Sequence, residues 1–155
     1  MEVDNDDDIQ QMEEEEDNGI IFPPEFKEKL KSNEMNICTI VELLCLSQKE
    51  KKIKENIKDK KDTDFGIDVV KKTEEYLDKF NKYGVSSNRE EIAYQLRRLF
   101  ESKKKINKVE QALLLDLAPS NAEEAFALIP SLKSKLKTDE LNDILIDINK
   151  EIIDN

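Results

Sequence analysis

Histidine and tryptophan are absent from the 155 residues, which include only three glycines, four prolines and two cysteines. Without histidine there is no serine–histidine or cysteine–histidine nucleophile pair, and the commonest transition-metal ligand is missing. Two cysteines alone cannot complete a structural zinc site. Three isolated glycines cannot build a phosphate-cradling loop, and neither GxGxxG nor GxxxxGK[ST] occurs. So few turn residues also argue against a sandwich or barrel made of many short strands. No apolar run approaches the roughly 18 residues of a membrane-spanning helix. The expectation is a non-catalytic chain with no cofactor, no metal, no small-molecule substrate and no membrane partner.

Charge is plentiful but unevenly placed. Residues 1–18 hold ten acidic residues and no basic one, whereas residues 19–155 hold 26 acids against 25 bases. The acidic balance is therefore a property of the N-terminal segment, and the remainder is close to neutral. A like-charged block with so little apolar surface is expected to be a disordered tail, most simply a solubilising one. It also lacks the basic-then-apolar layout of a signal peptide. With 39% charged and 37% apolar residues, the core-forming material has to be concentrated further along the chain.

After the tail comes Ile20-Ile21-Phe22-Pro23-Pro24-Glu25-Phe26. Its β-branched and aromatic residues and its paired prolines predict an extended arm. These apolar side chains could pack on the chain's own helices or insert into a partner, and the residues alone leave both open. Ile37, Ile40, Val41, Leu44 and Cys45 recur at three- and four-residue spacing, which predicts an amphipathic helix starting near Asn33 or Asn36. Cys38 and Cys45, seven positions apart, would lie about 10 Å apart along such a helix. That is too far for a disulfide, so both are expected to be reduced core or interface residues. Residues 49–61 contain seven lysines, three acids and no aromatic. This reads as a solvated linker or helical extension rather than a nucleic-acid tract.

From Asp64 the pattern becomes dense. Val69, Thr73, Tyr76 or Leu77, and Phe80 mark a helix ended at Tyr83-Gly84. Asn88-x-x-Glu91 and Asn107-x-x-Glu110 look like capping boxes, and Ser120-Asn121-Ala122-Glu123 and Thr138-Asp139-Glu140 like further helix starts. Ile92, Leu96 and Leu99 form one buried face, and Val109, Leu113, Leu114 and Leu117 another. Leu141, Ile144, Leu145, Ile148 and Ile152 form the last. Pro130 should stop the helix before it and leave Ile129 extended. The paired acids Glu90-Glu91, Glu123-Glu124 and Asp139-Glu140 fall in first turns, where the helix dipole favours them, and need no catalytic role. Arg89, Arg97, Arg98, Lys103, Lys104, Lys105 and Lys108 cluster around the third helix. They suit an ordinary solvated face, an acidic protein partner or weak phosphate contact. The expected architecture is all-α: tail 1–18, an apolar arm with helix and linker 19–63, and a helical bundle 64–155.

Several of these segments together resemble a known family. Ile21-Phe22-Pro23-Pro24-Glu25-Phe26 is similar to the entry motif of the RNA polymerase II subunit four family, which has an archaeal counterpart. The stretch Glu110–Pro119, then Ala122-Glu-Glu-Ala125 and Ala127-Leu-Ile-Pro-Ser-Leu132, resembles its C-terminal signature. Asp139-Glu-Leu141 through Ile144–Ile148 resembles its last helix. Residues 46–64 and the tail do not match. The resemblance implies a domain like the helicase-and-RNase-D C-terminal (HRDC) domain and a nuclear location. It also implies a heterodimer with polymerase subunit seven, attached to the polymerase core as a stalk near the RNA exit path. There the pair supports initiation, clamp closure, factor recruitment and possible weak contact with nascent RNA. On that basis Ile20, Ile21, Phe22, Pro23 and Phe26 are candidate partner-interface residues, the arm adding to a sheet edge. Ile37, Val41, Leu44 and Cys45 are the next candidates, because their helix is expected to lie outside the compact bundle. The alternatives are the paralogous stalk subunit of RNA polymerase III or I, or a stand-alone HRDC-like nucleic-acid module.

Overall fold

Helix–helix packing accounts for the architecture. The computed structural model describes residues 22–32, 34–56, 64–84 and 88–153, and among these residues there is no strand. The helices are α1 (Pro24–Lys31), α2 (Ile40–Asn56), α3 (Asp64–Phe80), α4 (Arg89–Arg98), α5 (Lys108–Leu117), α6 (Ala122–Leu128) and α7 (Thr138–Ile153), with a 3-10 turn at Pro130–Ser134. The tail, Ile20 and Ile21 lie outside the described residues.

One core runs through the bundle. Leu141, Ile144, Leu145 and Ile148 of α7 pack with Ile92 and Leu96 of α4 and with Leu114 and Leu115 of α5. Each such side chain contributes about 1.5–3 kcal/mol when fully removed from water. The α7 stripe is the predicted one. On α5 the buried face is rotated from the predicted one. The adjacent pair Leu114 and Leu115 is buried, Val109 and Leu113 are half-buried, and Leu117 is 40% exposed. Tyr83 is also buried, and its hydroxyl donates to the Leu115 carbonyl at 2.6 Å. Ile129 and Leu132 enter the same core from the turn that Pro130 opens, and Ile129 leaves the helical region at φ −131 and ψ 78 without reaching the fully extended one.

The helix starts test the capping reading one at a time. Asn107 and Glu110 form the full reciprocal box. Asn88 makes no side-chain cap bond, so the matching Asn-x-x-Glu91 pattern is not a box; the Glu91 carboxylate instead accepts from Gln95. The α6 start is shifted by one residue, with Asn121 as cap accepting from the Glu124 amide at 2.9 Å. Glu124 reaches back to the Ser120 amide. After α3, Asn81 accepts from the Tyr83 amide and donates to the Gly84 carbonyl. Gly84 takes φ 71, the positive value that a side chain would disfavour.

Two expectations for the N-terminal third are corrected. Among the described residues of the arm, Pro23 is extended at φ −55 and ψ 149, but from Pro24 the chain is helical, because Pro24 occupies a first-turn position whose missing N–H costs nothing. Phe26 is therefore helical and not part of a strand. The next helix begins at Ile40, leaving Ile37 outside it. Thr39 sets that start: its amide and hydroxyl donate to Glu42 at 2.8 and 3.0 Å.

Candidate partner surface

The segment between α1 and α2 is held by polar groups that reach it from distant parts of the chain. The Lys108 Nζ donates to the Met35 carbonyl at 3.0 Å. The Ile40 amide donates to Asp116 Oδ1 at 2.9 Å. The Arg97 guanidinium grips both carboxylate oxygens of Glu42 and also donates through Nη2 to the Ile37 carbonyl. α4 and α5 thus fix where α2 starts. Burial opposes ionisation of Glu42, but the bonds from Arg97 and Thr39 outweigh it and hold its carboxyl below the usual range. Burial pushes the Asp116 carboxyl up, against the Ile40 N–H that favours its ionised form.

Pinned in this way, α2 is an integral helix of the bundle and not a projecting one. Val41 is 1% exposed within the main core, and Leu44 and Cys45 are buried as well. Ser47 and Lys51 both bond Glu74 of α3. Leu44, Ser47 and Lys51 lie three and four residues apart, on one face, as do Glu74 and Leu77, so this face meets α3. The expectation that Val41, Leu44 and Cys45 form a surface outside the bundle is therefore corrected: the chain's own helices cover them. Of the two free thiols, Cys45 is buried and Cys38 exposed.

What stays uncovered is different. α1 buries no residue; Pro23 is exposed, Phe22 and Ile37 are half-buried, and Phe26 is 44% exposed. α3 turns inward at Leu77 and leaves Val69, Tyr76 and Phe80 exposed, Tyr76 by 62%. Val69, Thr73, Tyr76 and Phe80 share one helical face, and the Tyr76 and Phe80 rings touch with centroids 4.8 Å apart. Leu43 and Leu46 of α2 are exposed too. By its spacing alone the α3 stripe reads as a core face. The signal against that reading is the second apolar pair on α3, Val70 and Leu77, which supplies the inward face.

The supposed basic face is dispersed. Arg89 is 4% exposed and donates to Asp78 at 2.7 Å. Arg97 and Lys108 are used in holding the α1–α2 segment. Arg98 lies over the Tyr94 ring at 5.8 Å. Only Lys103, Lys104 and Lys105 remain of the cluster as predicted.

Nor does a buried acid assemble chemistry. Glu110 is fully buried, but its carboxylate accepts from the Asn107 amide, the Ser131 hydroxyl and the Lys135 ammonium. Those donors occupy it structurally. Among the described residues no group of three His, Cys, Asp or Glu is placed to hold a metal ion, and no helix is long and apolar enough to cross a membrane. An open groove lined by Ser120, Asn142, Leu145, Ile146, Asn149 and Lys150 contains none of the acid pairs.

The family model described as RNA polymerase Rpb4 matches residues 37–151. The match opens at Ile37, the residue whose carbonyl Arg97 holds, and closes within α7, so it spans every helix of the bundle. It leaves the Phe22–Phe26 arm outside. Covering about three quarters of the chain, that match shows that the protein belongs to the RNA polymerase Rpb4 family of non-catalytic polymerase stalk subunits.

Proposed function

We propose that this chain is the subunit-four half of the stalk of nuclear RNA polymerase II and pairs with subunit seven. In that role its HRDC-like bundle is a platform. The pair supports initiation, clamp closure and the handling of factors and RNA near the exit path. The observation that carries the proposal is the exposed apolar stripe Val69–Tyr76–Phe80, together with α1, in which no residue is buried. Contiguous apolar surface of this kind on a soluble domain is the usual mark of a partner site. The arm residues Ile20, Ile21, Phe22, Pro23 and Phe26 belong to the same proposed interface, with Ile37 at its edge. The entry motif and the Ala127–Leu132 segment favour polymerase II over its paralogues.

The test is purification of the tagged chain from nuclear extract, followed by mass spectrometry and hydrogen exchange. The expected result is subunit seven with the largest subunits of polymerase II, and slowed exchange at 22–31 and 69–80 in the heterodimer. Largest subunits of polymerase I or III in their place would reassign the paralogue. Recovery without any polymerase subunit would overturn the reading.

A further inference from the structure

The connections on either side of the α5 start differ in charge from the rest of the molecule. Residues 102–109 contain four lysines and no acid, and residues 129–138 contain three lysines and no acid. Glu110 brings the two together, since it caps the Asn107 amide while binding Ser131 and Lys135. Lys103 and Lys105 from one connection and Lys137 from the other act on the same carboxylate, Glu140, and help hold it below its ordinary range behind the larger effect of the Lys137 amide. One end of the bundle is therefore a lysine surface.

Lys108 and Lys135 are used internally. Lys104, Lys105, Lys133 and Lys137 are exposed and Lys103 is half-exposed, and none of the five forms an ion pair among the described residues. Three lysines of α2 and α3 contrast with them: Lys49, Lys51 and Lys72 pair with Glu90, Glu74 and Asp68.

The C-terminal turn of α1 is held at this same end. The Met35 carbonyl is bonded to Lys108, three residues beyond Lys105, and the Met35 amide donates to the Lys29 carbonyl at 3.1 Å. The C-terminal turn of α1 thus sits beside the start of α5. By the helical rise, Pro24 is roughly 10 Å from that junction. The 21 residues before Phe22 would span about 25 Å as a coil and about 70 Å fully extended.

We propose that the acidic segment 1–18 docks on the lysine surface of its own bundle, formed by Lys103, Lys104, Lys105, Lys133 and Lys137, and screens it from other polyanions. The segment carries ten acids and no base, and within its reach are five lysines whose nearest shared carboxylate is Glu140. Each exposed pair is weak, about 0–1 kcal/mol. Tethering supplies a millimolar effective concentration, so many weak contacts suffice. The docking goes beyond the stalk assignment and does not depend on it.

The test uses the full-length chain and a full-length variant whose ten tail acids are replaced by Asn and Gln. Amide spectra of the two are expected to differ at 102–109 and 130–138 in low salt and to coincide at 1 M salt, where the screening length is about 3 Å. Replacing the five lysines by Gln should abolish the difference. Binding of a labelled oligothymidylate should tighten roughly tenfold when the tail is neutralised, as expected for displacement of a millimolar internal competitor. Shifts spread over α2 and α3, or none, overturn the proposal. So does tighter oligonucleotide binding without amide shifts, which would mean repulsion at a distance. Equal binding with either tail would make the lysine end an open polyanion site, and overturns it too.

Discussion

Arg97 and Glu42, 55 positions apart, meet in a two-pronged ion pair, Nε to Oε1 at 2.6 Å and Nη2 to Oε2 at 2.7 Å. The same guanidinium holds the Ile37 carbonyl, and the same carboxylate caps α2 through Thr39. One contact therefore joins α4 to the first turn of α2 and to the segment before it. A planar fork suits this task, since a lysine could not serve both oxygens and a carbonyl in fixed geometry.

Glu42→Gln should cost about 2 kcal/mol at neutral pH, the scale of a charged hydrogen bond. The pH dependence follows from the lowered carboxyl. Its folded value lies below the ordinary 4.5, so the stabilisation is complete above that value and is lost as pH falls through the folded one. Urea unfolding of wild type and variant should thus differ at pH 7 and converge under acid. A constant gap across that range would contradict the assignment.

Asp116 has the opposite sign. Burial raises its carboxyl, so the ionised form costs stability above the folded value, and the cost is relieved as pH falls through it. Asp116→Asn keeps an oxygen for the Ile40 amide and removes the buried charge. Its stability at pH 7 should equal or exceed that of wild type, whereas Asp116→Ala should lose about 1 kcal/mol with the hydrogen bond. Thermal melts of the three proteins decide this.

Leu44 and Phe80 separate fold from partner. Leu44→Ala should destabilise the isolated chain by about 3 kcal/mol as a core truncation. Phe80→Ser should change its stability by less than about 0.5 kcal/mol but weaken recovery of the polymerase partner at least tenfold. Denaturant titration and quantitative pull-down measure the two effects. If Phe80→Ser leaves recovery intact, the α3 stripe is not the interface.

Asn107 and Asn88 share one pattern and differ in structure. Asn107→Ala should cost about 1 kcal/mol more than Asn88→Ala, because only Asn107 makes the reciprocal cap. Equal costs in chemical denaturation would show that α4 is capped in solution.

Local rules were enough for much of the bundle. The α7 stripe Leu141–Ile148, the Asn107 box, the Gly84 stop and the break at Pro130 depend on residues within one or two turns of each other, so they are legible along the chain. The absence of histidine limited the chemistry in the same direct way. Other features required tertiary structure, because they depend on which of two apolar faces finds a neighbour. α3 carries Leu77 inward and Val69, Tyr76 and Phe80 outward, and helical spacing alone does not distinguish them. The place of α2 was decided by Arg97, Asp116 and Lys108, far along the chain from the residues they hold. Those three contacts accompany the move of Val41, Leu44 and Cys45 from expected surface to interior, and they occupy two members of the basic cluster, Arg97 and Lys108. Periodicity records that a helix has an apolar side; only packing determines what covers it.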